Sequence, residues 1–261
     1  MAVGASAPES RSIRESELTH ALASVRSRLA MAAEAVGRNV GEIELLPITK
    51  FFPATDVAIL SRLGCRSVGE SREQEASAKV NELARLAEAS PRADRRELHW
   101  HMVGQIQRKK ARSLARWAHT AHSIDSAQLV TALDRAVAAA LAAGCRDNPL
   151  RVYVQVSLDG DTSRGGVDIQ TPGAVDGVCA RVQESKCLEL LGLMGMPPLD
   201  WDPDEAFERL QSEHRRVLES HPNAVGLSAG MSDDLEIAVK HGSTCVRVGT
   251  ALLGPRRLPS P

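Results

Sequence analysis

The chain lacks the marks of several common protein classes. Its five cysteines are scattered and include no C-x-x-C pair, which argues against a disulfide framework and indicates reduced thiols. The longest apolar run, residues 136–145, is about half the length of a bilayer span. The formal net charge is only −1, so no general basic surface for nucleic acid is expected. The first dozen residues carry no apolar core of a signal peptide. We therefore expect a soluble, cytoplasmic protein with no nucleic-acid or membrane partner.

Short apolar segments alternate with helical patterns along the chain. The strands are predicted at residues 44–49, 66–69, 98–104, 119–123, 151–157, 188–193, 224–227 and 244–248. The helices are predicted at residues 14–36, 54–63, 72–87, 105–117, 126–143, 172–184, 204–220 and 233–241. Such alternation is typical of a parallel sheet covered by helices, and eight units fit a closed barrel. The predicted fold class is α/β, a single TIM-type (β/α)8 barrel. Its N-terminal helix takes the place of the helix missing after the last strand.

The same pattern predicts one folded domain, residues 13–261, preceded by a flexible tail, residues 1–12. An open, doubly wound sheet is the alternative architecture. Its usual marker is a G-x-G-x-x-G turn after the first strand, whereas here residues 46–50 lead into Phe51, Phe52 and Pro53. The barrel is therefore the better prediction.

Two glycine-containing loops follow the last two predicted strands. Small residues let backbone N–H groups approach a ligand closely, and phosphate sites in such barrels recur after strands seven and eight. The candidate phosphate ligands are Ser228, Gly230, Met231, Ser232, Gly249 and Thr250. Ser232 is also predicted to cap the helix at 233–241.

Lys50 directly follows the first predicted strand. In a closed barrel strand one neighbours strand eight, so Lys50 would face the two loops across the mouth. A lysine forms a Schiff base only as the neutral amine. A lysine and a phosphate cup together suit pyridoxal 5'-phosphate, which carries an aldehyde and a phosphate on one small ring. A solvated lysine at a strand end is the alternative interpretation.

Arg247 lies inside the last predicted strand, where a charge needs a partner. Opposite a pyridine nitrogen it would donate a hydrogen bond and keep that nitrogen unprotonated, which weakens the ring as an electron sink. An ion pair with Asp234 or Glu236 is equally compatible with the spacing.

Histidines supply the main competing signal. His99 and His101 share one face of a strand, and H-x-H at a barrel strand end can hold a metal. His119 and His122 lie near in sequence. Metal hydrolases of this fold usually carry the pair on the first strand, whereas here it falls on the third. We therefore predict no metal, a packing role for His99, and a pocket-facing His101.

Several motifs in order resemble the pyridoxal phosphate homeostasis protein family. They are residues 47–50 (PITK), 68–75 (VGESREQE), 100–104 (WHMVG), 122–125 (HSID), 192–194 (GLM), 227–234 and 242–254. The resemblance implies a barrel related to the N-terminal domain of alanine racemase, with the cofactor bound as an aldimine at Lys50. It also implies a role in buffering pyridoxal phosphate and delivering it to apo-enzymes, without established turnover.

The chain departs from the family pattern at a few positions. Ser71 replaces an asparagine that would lie near the cofactor, and Gln105 and Lys109 replace a proline and an asparagine. Arg164 stands where the family has a lysine, a milder change. Ser71 remains a candidate cofactor contact.

The alternative function is a pyridoxal-phosphate-dependent amino-acid racemase. Two-base racemisation needs a second acid/base on the opposite ring face, which in alanine racemase is a tyrosine. The single tyrosine here, Tyr153, lies within a predicted strand. We therefore favour a non-enzymatic carrier, and the neutral surface indicates a monomer.

Overall fold

The computed structural model describes residues 7–88 and 98–255. Its strands are β1 (Glu44–Pro47), β2 (Ser67–Glu70), β3 (His99–Met102), β4 (Thr120–Ile124), β5 (Leu150–Ser157), β6 (Val167–Asp168), β7 (Leu188–Met194), β8 (Gly226–Ser228) and β9 (Cys245–Val248). Its helices are α1 (Ala7–Ala35), α2 (Ala54–Arg62), α3 (Glu73–Glu88), α4 (Ala111–Leu114), α5 (Ala127–Ala142), α6 (Ala174–Gln183), α7 (Pro203–Ser220), α8 (Leu235–Lys240) and α9 (Thr250–Leu253). All eight predicted strands are present, with ends within two residues of the prediction.

Eight strands form a nearly closed parallel barrel. They follow the order β1-β9-β8-β7-β5-β4-β3-β2, and a bridge between Ile48 and Gly69 joins the end of β1 to β2. β6 lies off this path and pairs only with β5. The predicted barrel is confirmed. Its carboxyl strand ends, where such folds bind ligands, lie together at one mouth.

Helix α1 covers β9 and β1 from outside. Its apolar residues Leu18, Leu22, Val25 and Leu29 recur at helical spacing and pack into one core cluster with residues of α2, α8 and α9. Arg14 of α1 donates to the Asp56 carboxylate of α2 at 2.7 Å. The N-terminal helix thus occupies the position predicted for it, beside the four-residue α9.

Four helices or strands differ from the sequence prediction. α1 begins at Ala7, seven residues before the predicted start and inside the segment expected to be a tail; Pro8 suits the first turn of a helix. The predicted helix at 105–117 is reduced to a 3-10 turn at Arg108–Lys110 followed by the short α4. The short β6 and α9 were not predicted. Within the described ranges, no helix is both long and apolar enough to cross a membrane.

Candidate functional site

A cavity of about 430 Å³ lies at the carboxyl ends of the strands. Seven of the ten predicted site residues line it: Lys50, Ser71, Met231, Ser232, Arg247, Gly249 and Thr250. Ser228, Gly230 and His101 are not on its wall. The structure therefore brings the lysine, the arginine and the two loops into one space.

The Lys50 side of the cavity is built by the ends of β1, β2 and β3. Lys50 is half-buried and follows β1 in a turn. Gly104, after β3, crosses Ser71 so closely that a Cβ added there would lie 2.1 Å from the Ser71 carbonyl oxygen. Only glycine permits this approach, which places Ser71 at the cavity wall.

Two loops meet on the opposite side. The Ser232 hydroxyl accepts a hydrogen bond from the Ala251 amide at 3.2 Å, so it ties the loop after β8 to the loop after β9. Ser232 does not cap α8: that prediction is wrong, because α8 begins only at Leu235 and its N-cap residue is Asp234. The Asp234 carboxylate instead accepts from the Met231 amide at 2.5 Å.

This side of the cavity retains unused backbone donors. Within the part of the chain that the structure describes, the N–H groups of Ser232, Gly249 and Thr250 donate to no other group. All three residues line the cavity. Unused amide donors at a small-residue loop are the chemistry that binds a phosphate.

Gly230 shapes the loop from behind. Its φ is +90°, and an added Cβ would lie 2.5 Å from the Ala238 Cβ of α8. Its carbonyl oxygen accepts from the Arg247 amide at 2.9 Å. Gly230 thus lets β8, β9 and α8 pack closely. The residue lies behind the cavity wall and does not line the cavity.

Arg247 is buried and is held by neutral groups. Its Nη1 donates to the Ser228 hydroxyl at 2.7 Å and its Nη2 to the Gly195 carbonyl at 3.1 Å. Glu236 pairs instead with Arg28 at 2.8 Å. Among the described residues Arg247 makes no ion pair, and burial lowers the pKa of its guanidinium. The charge of Arg247 therefore remains available to the cavity.

Below Arg247 a polar chain, Arg247–Ser228–His122–His101, crosses the barrel interior. Ser228 Oγ lies 2.8 Å from His122 Nδ1, and His122 Nε2 lies 3.0 Å from His101 Nδ1. A guanidinium can only donate, so the Ser228 hydroxyl accepts a hydrogen bond from Arg247 and can donate one to His122 Nδ1. That order makes His122 donate through Nε2 to His101.

These histidines are buried as neutral groups. Burial lowers the pKa of His101 to about 4 and that of His122 well below its usual range. His99 stacks on His119 with ring centroids 3.8 Å apart. Across residues 7–88 and 98–255 no group of three or more His, Cys, Asp or Glu side chains is arranged to hold a metal ion.

Some wall residues were missed from the sequence. Phe51, Gln155, Met196 and Asp233 also line the cavity, together with Gln105 and Arg164, which were noted only as departures. Gln155 lies in the last part of a predicted strand, a position that could have identified it. Phe51 carries no such signal, since its place depends on a left-handed backbone, φ +69°.

Comparisons with known proteins bear on this geometry. The sequence profile of the family described as alanine racemase, N-terminal domain, matches residues 22–257. A pyridoxal phosphate homeostasis protein of Mycobacterium tuberculosis (strain ATCC 25618 / H37Rv) is 79% identical over 95% of this chain and 96% of its own length. The protein of that name from Escherichia coli (strain K12) is 32% identical over 92% and 97%.

This chain belongs to the pyridoxal phosphate homeostasis protein family. The family resemblance predicted from the motifs is thereby confirmed. Among solved structures, PipY of Synechococcus elongatus PCC7942 with pyridoxal phosphate bound is 28% identical, with a TM-score of 0.74, over 91% of this chain and all of that one.

Proposed function

We propose that this chain binds pyridoxal 5'-phosphate in the cavity, holds it as a Schiff base on Lys50, and passes it to apo-enzymes that need it. One observation carries the proposal: a lysine and three unused amide donors line the same cavity of about 430 Å³. The names of the relatives and the pyridoxal phosphate bound to PipY support the choice of ligand.

The loops after β8 and β9 would hold the phosphate. The amides of Ser232, Gly249 and Thr250 supply donors, and the Thr250 hydroxyl adds a further one. The hydrogen bond between Ser232 and Ala251 fixes the two loops relative to each other before the ligand arrives. Such preorganisation lowers the entropic cost of binding.

Lys50 would hold the aldehyde end. Its neutral amine adds to the aldehyde carbon, one water leaves, and a carbon–nitrogen double bond replaces the carbonyl; no oxidant or reductant is needed. The reaction reverses with water, so the same lysine can release the cofactor. This reversibility suits a carrier.

Arg247 would donate to the pyridine nitrogen. A permanent cation there keeps the nitrogen unprotonated and limits carbanion stabilisation by the ring. Tyr153 is buried against His122 and is not on the cavity wall. These two features favour a carrier over the two-base racemase.

The test is an absorption titration of the full chain with pyridoxal phosphate, followed by borohydride reduction and peptide mapping. Lys50→Ala is expected to abolish the near-visible band and the label at position 50. Lys240→Ala, which removes an exposed lysine paired with Asp204, serves as the matched control and is expected to keep both.

A band that survives in Lys50→Ala, or label spread over surface lysines, would contradict the cofactor site. Transfer is measured by mixing loaded protein with an apo-aminotransferase and following its reactivation. Solvent deuterium entering the α-position of added amino acids would instead favour the racemase. Size-exclusion chromatography with light scattering tests the proposed monomer.

A further inference from the structure

We propose that Glu70, Glu75 and Lys79, here called the Lys79 cluster, are positioning residues that fix the backbone on both sides of Lys50. The inference rests on the proposed role of Lys50. It assigns a task to charged side chains that do not line the cavity.

The Lys79 ammonium has three donors, and the structure gives each an acceptor. Its Nζ lies 2.7 Å from the Thr49 carbonyl oxygen, 2.8 Å from Glu70 Oε1 and 2.8 Å from Glu75 Oε1. Lys79 is only 6% exposed. An ammonium with all its donors satisfied in a buried site has a defined position.

The cluster reaches the peptide groups that flank Lys50. On the N-terminal side, Lys79 binds the Thr49 carbonyl, and the Thr49 hydroxyl donates to Glu70 at 2.6 Å. On the C-terminal side, the Phe51 amide donates to Glu75 at 2.6 Å. Lys50 therefore lies between two residues that are held in place. Thr49 is bound to β2 and α3, and Phe51 is bound to α3.

The backbone after Lys50 needs this support. Phe51 has a φ of +69°, and it is the one non-glycine residue with positive φ in the described ranges. A bulky residue adopts this conformation only when its surroundings impose it. The hydrogen bond from the Phe51 amide to Glu75 is a contact that does so.

Stability alone does not explain the cluster. Replacing a buried ion pair by apolar residues of similar volume is often neutral or stabilising. One Glu70 oxygen, Oε2, is buried without a hydrogen-bond partner among the described residues, so the cluster is not even fully satisfied. What the cluster does determine is the backbone geometry of the turn that carries Lys50.

The test uses the full chain with Glu75→Ala, Glu75→Gln and the control Glu82→Ala. Glu82 lies on the same helix and is exposed. The first readout is hydrogen exchange of the Phe51 amide in protein free of cofactor. It is expected to speed up in Glu75→Ala, to change less in Glu75→Gln, which keeps an acceptor oxygen, and to stay unchanged in Glu82→Ala.

The second readout is the affinity for pyridoxal phosphate and the pH midpoint of the absorption band. Losing the Glu75 contact is expected to weaken binding by about tenfold and to shift the midpoint, with Glu75→Gln partly restoring both. Circular dichroism confirms that each variant is folded.

Unchanged Phe51 exchange in folded Glu75→Ala would overturn the inference. So would faster exchange with wild-type affinity and midpoint, because the turn would then be loosened without consequence for Lys50. Failure of the wild-type chain to label at Lys50 is a separate result: it overturns the proposed function, while the exchange measurement still decides whether the cluster fixes the turn.

Discussion

The two sides of the cavity hold buried charge in opposite ways. Beside Lys50, the Lys79 ammonium is surrounded by two carboxylates and a carbonyl oxygen. Across the mouth, Arg247 is held by a hydroxyl and a carbonyl and continues into neutral histidines. On the first side, carboxylate and carbonyl oxygens occupy all three donors of the ammonium. On the second side the guanidinium makes no ion pair with any residue that the structure describes, which is the arrangement that the proposed contact with a ligand nitrogen requires.

The largest expected effect tests this difference directly. Lys79→Met leaves Glu70, which is fully buried, without its cation, so we expect it to lower the free energy of unfolding by roughly 3–5 kcal/mol. Arg247→Met leaves only neutral groups without a hydrogen-bond partner, so it should lower the free energy of unfolding by about 1–2 kcal/mol. Urea unfolding of the cofactor-free proteins measures both.

The exposed pair of Lys240 and Asp204 provides the control for that comparison. Lys240→Met should cost less than about 1 kcal/mol. The double variant Lys79→Met/Glu70→Gln should recover part of the loss, since the stranded charge is gone. Equal costs for Lys79→Met and Arg247→Met would show that the two sides do not differ as described.

The next effect concerns the neutral histidines. The pKa of His101 falls from 6.5 to about 4 because of burial, so the unfolded chain binds the proton first as pH falls. The free energy of unfolding should therefore decrease from pH 6.5 down to pH 4. At 1.36 kcal/mol per unit, His101 alone contributes about 3 kcal/mol.

Urea unfolding across this pH range checks the expectation. His101→Asn, which can keep a hydrogen bond to His122, should flatten the dependence, whereas His20→Asn on the exposed face of α1 should not. Burial raises the pKa of Glu70, which acts in the opposite sense, so the difference between variant and wild type is the quantity to compare. If the free energy of unfolding depended on pH as steeply in His101→Asn as in wild type, the description of His101 as a buried neutral group would be contradicted.

The sequence predicted the barrel well because its strands are apolar runs bounded by turn residues, and this signal is local. Residues at strand ends, such as Lys50 and Gly249, could be placed at the mouth for the same reason. The prediction fails where position depends on tertiary contacts. Glu75 and Lys79 have the spacing of an ordinary surface pair on a helix, and nothing local shows that they bind the peptide groups on either side of Lys50.

Ser228 and His101 were both predicted to contact the cofactor, and neither lines the cavity. Both lie on strands that end at the mouth, so the sequence suggested contacts with the cavity. Their side chains instead form the part of the polar chain Arg247–Ser228–His122–His101 that lies below Arg247. Depth along a barrel axis depends on strand register and tilt. Register is a property of the paired strands and cannot be deduced from one of them.

The smallest expected effects distinguish Gly230 from Gly249, the glycines of the loops that follow β8 and β9. Gly230→Ala combines a φ of +90° with a Cβ 2.5 Å from that of Ala238, so we expect a loss of about 2 kcal/mol or more in the free energy of unfolding. A Cβ at Gly249 meets Ile48 only at 3.7 Å, so Gly249→Ala should cost less than about 1 kcal/mol. It should nevertheless weaken pyridoxal phosphate binding, because the methyl group is added to the cavity wall.

Gly177→Ala in α6 is the matched control. An added Cβ there meets nothing within 4 Å, so the variant should gain about 0.5–1 kcal/mol from helix propensity without changing binding. Thermal unfolding and the absorption titration on the three variants give both quantities. If Gly249→Ala lost stability but bound normally, the loop after β9 would support the fold and not the phosphate, and the unused amides would need another explanation.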